Sequence, residues 1–147
     1  MILSEIYFGC GGFQFFEAPG DPLLNYSRVF DYVEINSTFY SIPKIETCQR
    51  WKEKVSFNPE FFFTIKANYE LTHKYKFQPI KESYEIFDKM KKICNELETS
   101  ILVLQTPKNL QPDKNLIKNI DAFFSSISKD ELDLVWEPRG DNWTKLR

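Results

Sequence analysis

Five short apolar runs recur along this chain, each followed by turn residues and then a helical stripe, and that alternation limits the possible folds more than any other feature. The runs are Ile2–Gly9, Tyr32–Asn36, Phe61–Ala67, Ile101–Gln105 and Leu132–Glu137. They have strand length and are bounded by turn-forming or polar residues. Between them, Asp21 and Pro22 read as the N-cap and first residue of a short helix carrying Leu23, Leu24, Tyr26, Val29 and Phe30. Ile45, Cys48, Trp51 and Val55 give helical spacing up to the break at Asn58-Pro59. Pro79 starts a longer helix, with Ile80, Tyr84, Phe87, Met90, Ile93, Cys94 and Leu97 on one side. Leu116, Ile117, Ile120, Phe123, Phe124 and Ile127 form the last helical face. The segments 37–43 and 68–78 read as loops. Strand and helix repeat at about thirty residues per unit, which predicts an α/β fold built on a parallel sheet.

Composition narrows the class further. The chain of 147 residues suits one domain, and 42% hydrophobic residues are enough for a sizeable core. Fourteen Phe residues make that core ring-rich. Phe13, Phe15 and Phe16 are expected to cover the end of the core rather than line a pocket. A net charge of −2 offers no global attraction to nucleic acid or to an anionic membrane. The lysines between Lys74 and Lys92 are diluted by Glu82, Glu85 and Asp88 and read as a solvated helix face. Cys10, Cys48 and Cys94 lie far apart without a CxxC, so buried free thiols in a reducing compartment are expected. The N-terminal sequence lacks the pattern of a secretory signal, and no apolar run is long enough to span a bilayer, so the expected location is cytoplasmic.

The expected strands end in polar residues: Gln14 after the first, then Glu34 and Asn36, Lys66 and Asn68, Gln105, and finally Glu137 and Arg139. In a parallel α/β fold these ends lie on one side of the sheet, where ligands bind. Solvation alone does not require two Glu, a Lys, an Arg and an Asn there, so a shared site is the preferred reading. Gly9, Gly11 and Gly12 match neither GxGxxG nor a Walker A loop.

The same residues carry a family resemblance. VEINSTFYSIP from Val33 to Pro43, with Thr47 and Trp51 beyond it, resembles the hallmark of the YecE-like proteins, domain-of-unknown-function family seventy-two. Gly9, Gly12, Phe13 and Phe15 resemble its glycine–aromatic first loop. Lys66-Ala67-Asn68 with Thr72-His73, Gln105 with Pro107, and Glu137, Arg139 and Trp143 are similar to three later family segments. Tyr69 stands where the family usually has Arg, and Gly140 where it usually has His. Loss of two such groups weakens the case for anion binding. The resemblance implies a parallel (β/α) TIM-like barrel. Such barrels need eight strands and about 250 residues, whereas about five units are present here. Residues 1–147 are therefore expected to form a single partial barrel domain, with its first and fifth strands as unpaired edges. A truncated product is the preferred explanation, ahead of a split barrel completed by a complementary chain and of self-association through the open edges.

The resemblance supplies a site and no substrate. From side-chain chemistry, Glu34 and Glu137 are candidate acid–base groups, because neighbouring carboxylates can have their pKa values driven apart. Lys66 reads as a counter-ion to Glu34, or else as a desolvated nucleophile. Asn36, Asn68 and Gln105 are candidate ligand-binding amides. Arg139 suits a bidentate grip on phosphate or carboxylate, or an ion pair with either Glu. His73 is a proton-transfer group or a surface residue. Tyr40 and Trp143 either stack on a base or sugar or pack the rim. No metal-ligand spacing is present and a single His argues against a multi-zinc site; magnesium needs fewer protein ligands but has no spacing to support it. Two classes follow: a hydrolase or phosphate-ester enzyme without a dedicated cofactor, or a non-catalytic module for a nucleotide, nucleic acid or sugar. An inactive partial barrel is the third reading. The expected partner is an unknown small molecule or a phosphate-containing ligand, with nucleic acid weakly supported and no membrane.

Overall fold

The computed structural model describes residues 6–140 and 143. Five parallel strands form one sheet in sequence order: β1 (Gly9–Gly11), β2 (Tyr32–Ile35), β3 (Phe62–Lys66), β4 (Ile101–Gln105) and β5 (Asp133–Glu137). The helices are α1 (Pro22–Tyr26), α2 (Ser37–Tyr40), α3 (Ile45–Val55), α4 (Lys81–Glu96) and α5 (Lys114–Ser126). Each crossover advances by one strand in the same direction. Right-handed crossovers then place the helices on one face and leave the other uncovered.

Burial along the strands agrees with that one-sided cover. On β2, Val33 and Ile35 are buried while Tyr32 and Glu34 are half-buried; on β4, Leu102 and Leu104 are buried while Ile101, Val103 and Gln105 are not. Alternation sends the first set toward the helices and the second to the open face. The helix side is closed by Leu23 and Tyr26 of α1, Cys48 and Val55 of α3, Phe87, Met90 and Ile93 of α4, and Phe123 of α5. Each such side chain contributes about 1.5–3 kcal/mol by burial, so this layer dominates the stability of the unit. Phe123 joins α5 to α4 by stacking on Tyr84 at 5.3 Å and meeting Phe87 edge-on at 6.0 Å.

Caps and boundaries follow local chemistry. Asp21 accepts from the Leu24 amide at 3.1 Å with Pro22 at the first helical position, as expected. Asp113 caps α5 through Leu116 at 2.8 Å. Three expectations need correcting. The first strand does not run over Ile2–Gly9. Residues 2–5 lie outside the described residues, 6–8 are not strand, and pairing begins at Gly9 opposite Tyr32. Glycine sets this register, because a Cβ at Gly9 or Gly11 would collide with Tyr32 or with the Asn36 amide. Segment 37–43 is not all loop, since α2 occupies its first half. Segment 68–78 contains a π-helical turn at Glu70–Lys74, closed by Lys76 and Phe77 in the left-handed region. Phe77 tolerates that backbone because its ring is buried against Phe123 and Phe124.

Of the thiols, Cys48 and Cys94 are buried and Cys10 is exposed. Burial pushes Cys48 up to about 11 and Cys94 up to about 12, so both stay protonated and inert. No helix among the described residues is long and apolar enough to cross a membrane.

Candidate functional site

The C-terminal ends of β2 to β5 bring the charged residues together on the open face. Glu34 lies on β2, Lys66 ends β3, Gln105 ends β4 and Glu137 ends β5. Register sets Glu34 opposite Thr64, Lys66 opposite Val103, and Gln105 opposite Glu137. Burial raises the Glu34 carboxyl above its ordinary range; Lys66 pulls it back and Glu137 pushes it further up. Glu34 therefore feels groups from two other strands.

Lys66 has its ammonium 5.1 Å from the centre of the Phe39 ring. Such a contact contributes about 0.5–1 kcal/mol when exposed, enough to orient an ammonium without neutralising it. Glu137 accepts two hydrogen bonds from the Gln105 amide, at 2.9 and 2.8 Å. The other end of that amide receives Arg139 Nη1 at 3.5 Å. Gln105 thus stands between the carboxylate and the guanidinium, where direct pairing of the two was one expectation.

His73 sits in the π-helical turn and is half-buried. Tyr69 stacks on its ring at 5.3 Å, and Phe39 meets it edge-on at 4.9 Å. Burial first, then the positive charges of Lys66 and Arg139, lower its pKa. The imidazole is consequently neutral at physiological pH and lies in the field of both cations.

The amides divide in role. Asn68 is buried and committed to the backbone. Its Nδ2 donates to the carbonyls of Thr38 at 3.0 Å and Phe39 at 3.3 Å, and its Oδ1 accepts from the Glu70 amide at 3.0 Å. It ties α2 to the start of the π-helical turn. Thr38 adds a second tie, its hydroxyl oxygen lying 2.6 Å from the carbonyl oxygens of both Ile35 and Lys66, with its one proton shared between them. Asn36 lies against Gly11 with its Oδ1 buried and unpartnered.

Two aromatic candidates stand apart. Tyr40 ends α2 and is 83% exposed, touching Phe39 edge-on at 5.1 Å. Trp143 packs edge-on against Trp136 at 4.7 Å. Trp136 pairs with Leu104, whose side chain is on the helix side, so Trp143 is on the face opposite Glu137. Sequence reasoning missed Phe39, which touches Lys66, Tyr40, Tyr69 and His73. Its only signal was its place between Asn36 and Tyr40. Tyr69, which stands where the family usually has Arg, is the ring that stacks on His73, and its position in the sequence carries no signal of that contact.

A cleft of about 500 Å³ is lined by residues including Cys94, Glu98, Ser100 and Leu132. It lies at the N-terminal ends of β4 and β5, away from these groups. The polar face is open, so cleft size does not single it out. Among the described residues no three His, Cys, Asp or Glu side chains converge as metal ligands.

Comparisons with known proteins agree with this fold. A DUF72 family protein (EF0366) from Enterococcus faecalis V583 superposes with a TM-score of 0.69 at 16% identity, over 94% of this chain and 53% of that one. A second structure of it gives a TM-score of 0.73 at 17% identity, over 92% and 51%. A DUF72 family protein (TM1631) from Thermotoga maritima MSB8 gives 0.71 at 24% identity, over 93% and 56%. At such identities the likeness speaks for the fold alone. The chain spans about half the length of these solved relatives. No curated protein matches it. The family described as protein of unknown function DUF72 matches residues 14–147, in line with the resemblance of VEINSTFYSIP and the later segments. The chain therefore belongs to the DUF72 family, whose function is unknown.

Proposed function

We propose that the strand ends form an acid–base site for a small anionic ligand, with hydrolytic or phosphate-ester chemistry as the reaction class. The supporting observation is the half-buried Glu34 carboxyl, raised by burial while Lys66 and Glu137 act on it from two other strands. In this reading Glu34 exchanges a proton with the substrate, and Glu137, held by Gln105, is the second carboxylate. Lys66 and Arg139 neutralise the anion, since neither has a carboxylate contact among the described residues. Asn36 borders the site, its Oδ1 buried and without a partner. Asn68 holds the frame. Tyr40 and Trp143 are left at the rim and on the helix side.

A binding module is the second reading, favoured by one observation. Phe39, Tyr69 and His73 form an aromatic cluster beside Lys66, and Tyr69 is 47% exposed. That surface suits a ligand carrying both a ring and an anion, such as a nucleotide. Residues 1–147 would in either case supply one partial barrel domain. The uncovered strand edges would be completed by a complementary chain or a second copy.

Glu34→Gln and Lys66→Ala discriminate the readings. Turnover is followed on phosphate monoesters, diesters and carboxylic esters, and binding of inorganic phosphate by calorimetry. The enzyme reading expects Glu34→Gln to keep phosphate binding and lose turnover by about a hundredfold or more, and Lys66→Ala to lose both. Unchanged turnover in both variants sinks the catalytic assignment, and binding without any turnover in the parent chain favours the module.

A further inference from the structure

The turn that carries His73 specifies more about the ring than its position. Thr72 is fully buried, and its hydroxyl oxygen lies 2.8 Å from His73 Nδ1. The same hydroxyl reaches the Asn68 carbonyl at 3.4 Å. A threonine hydroxyl has one proton to give, and a carbonyl oxygen can only accept. Both contacts are hydrogen bonds in only one arrangement: the hydroxyl donates to Asn68 and the imidazole donates to the hydroxyl.

We infer that Thr72 holds His73 in the tautomer protonated on Nδ1, leaving the Nε2 lone pair free to act as a further base beside Glu34 at this site. The ring has little freedom to escape that arrangement. Tyr69 lies along one face, Phe39 meets it edge-on, and Asn68 ties the start of the turn to α2 through Thr38, Phe39 and Glu70. Among the described residues nothing bonds to Nε2. The charged groups around the ring match this role. Lys66 on β3 and Arg139 after β5 oppose protonation. Glu70 and Lys74, on the same turn, pair with each other at 2.6 Å. Nε2 is thus suited to take a hydrogen bond or a proton from a ligand hydroxyl or an attacking water. Thr72 is a positioning residue, and a π-helical turn at this point fits the frequent use of such turns at functional sites. The tautomer follows from the turn itself, while the ligand role of Nε2 rests on the site proposed above.

The chain has a single histidine, so its imidazole resonances need no assignment. Long-range ¹⁵N–¹H correlation spectra of the full chain distinguish the two neutral tautomers. The Nδ1–H form is expected in the parent protein and in Thr72→Ser, and its loss is expected in Thr72→Val. An Nε2–H ring in the parent chain overturns the inference, even where Thr72→Val does not fold. So does an Nδ1–H ring unchanged in a folded Thr72→Val. Titration with inorganic phosphate then reads the ligand role separately. A shift of the imidazole signals supports it. Their constancy under saturating phosphate removes His73 from the site and leaves the tautomer result standing.

Discussion

At the scale of single residues, the open face is governed by what burial does to charge. Glu34 has its pKa raised on folding, so its ionisation opposes the folded state. That cost is absent below the ordinary carboxyl value of 4.5 and grows as pH rises through the folded value. Glu34→Gln should therefore raise stability at neutral pH and leave it little changed in acid. Urea midpoints at the two pH values check this; an equal shift at both would contradict it. His73 runs the other way in pH. Its folded pKa lies below 6.5, so its contribution is complete above 6.5 and is lost as pH falls toward the folded value. A His73→Gln variant should show a flatter stability profile across that window, measured by denaturation on either side of it. Residue types alone could mark Glu34 and His73 as candidates. Their protonation states depend on which groups folding brings beside them, and no spacing in the chain contains that.

At the scale of elements, strands and helices were legible because their periodicities are strong. Ile101–Gln105 and the α3 stripe ending at Val55 stand where the pattern puts them. The first strand was displaced because pairing followed close approach at Gly9 and Gly11, not the apolar content of the run before them. The π-helical turn was illegible, because it is held from outside by Asn68 and by the buried Phe77 ring. Asn68→Ala tests that support. It leaves the carbonyls of Thr38 and Phe39 and the Glu70 amide without their partner, so a loss of about 2–3 kcal/mol is expected. The same variant should release the His73 ring, seen as altered imidazole resonances. Asp113→Ala removes only an N-cap and should cost about 1 kcal/mol while leaving those resonances alone.

For the whole molecule, the one-sided layering has consequences beyond the site. Among the described residues β1 pairs only with β2, and β5 only with β4. Near the β1 edge Phe8 and Phe15 are exposed, and on β5 Val135 and Trp136 are exposed. Edges of this kind recruit further strands. The chain alone should associate in a concentration-dependent way, detectable by light scattering. A sharp monomer with cooperative unfolding would refute that expectation. Adding charge on the edge with Val135→Lys should shift the distribution toward monomer, by a few-fold in apparent association constant, about 1 kcal/mol.

The sequence by itself determined the alternation of strand and helix, the parallel sheet, the family, and the set of polar residues at the strand ends. Those follow from local periodicity and from motifs that survive in linear order. Only the tertiary structure decided how the set divides. It gave Asn68 to the backbone, put Trp143 on the helix side, set Gln105 between Glu137 and Arg139, and gathered Phe39, Tyr69 and Thr72 around His73. The physical reason is that burial, charge–charge distance and hydrogen-bond saturation depend on residues far apart in the chain, and exist only once the strands are in register.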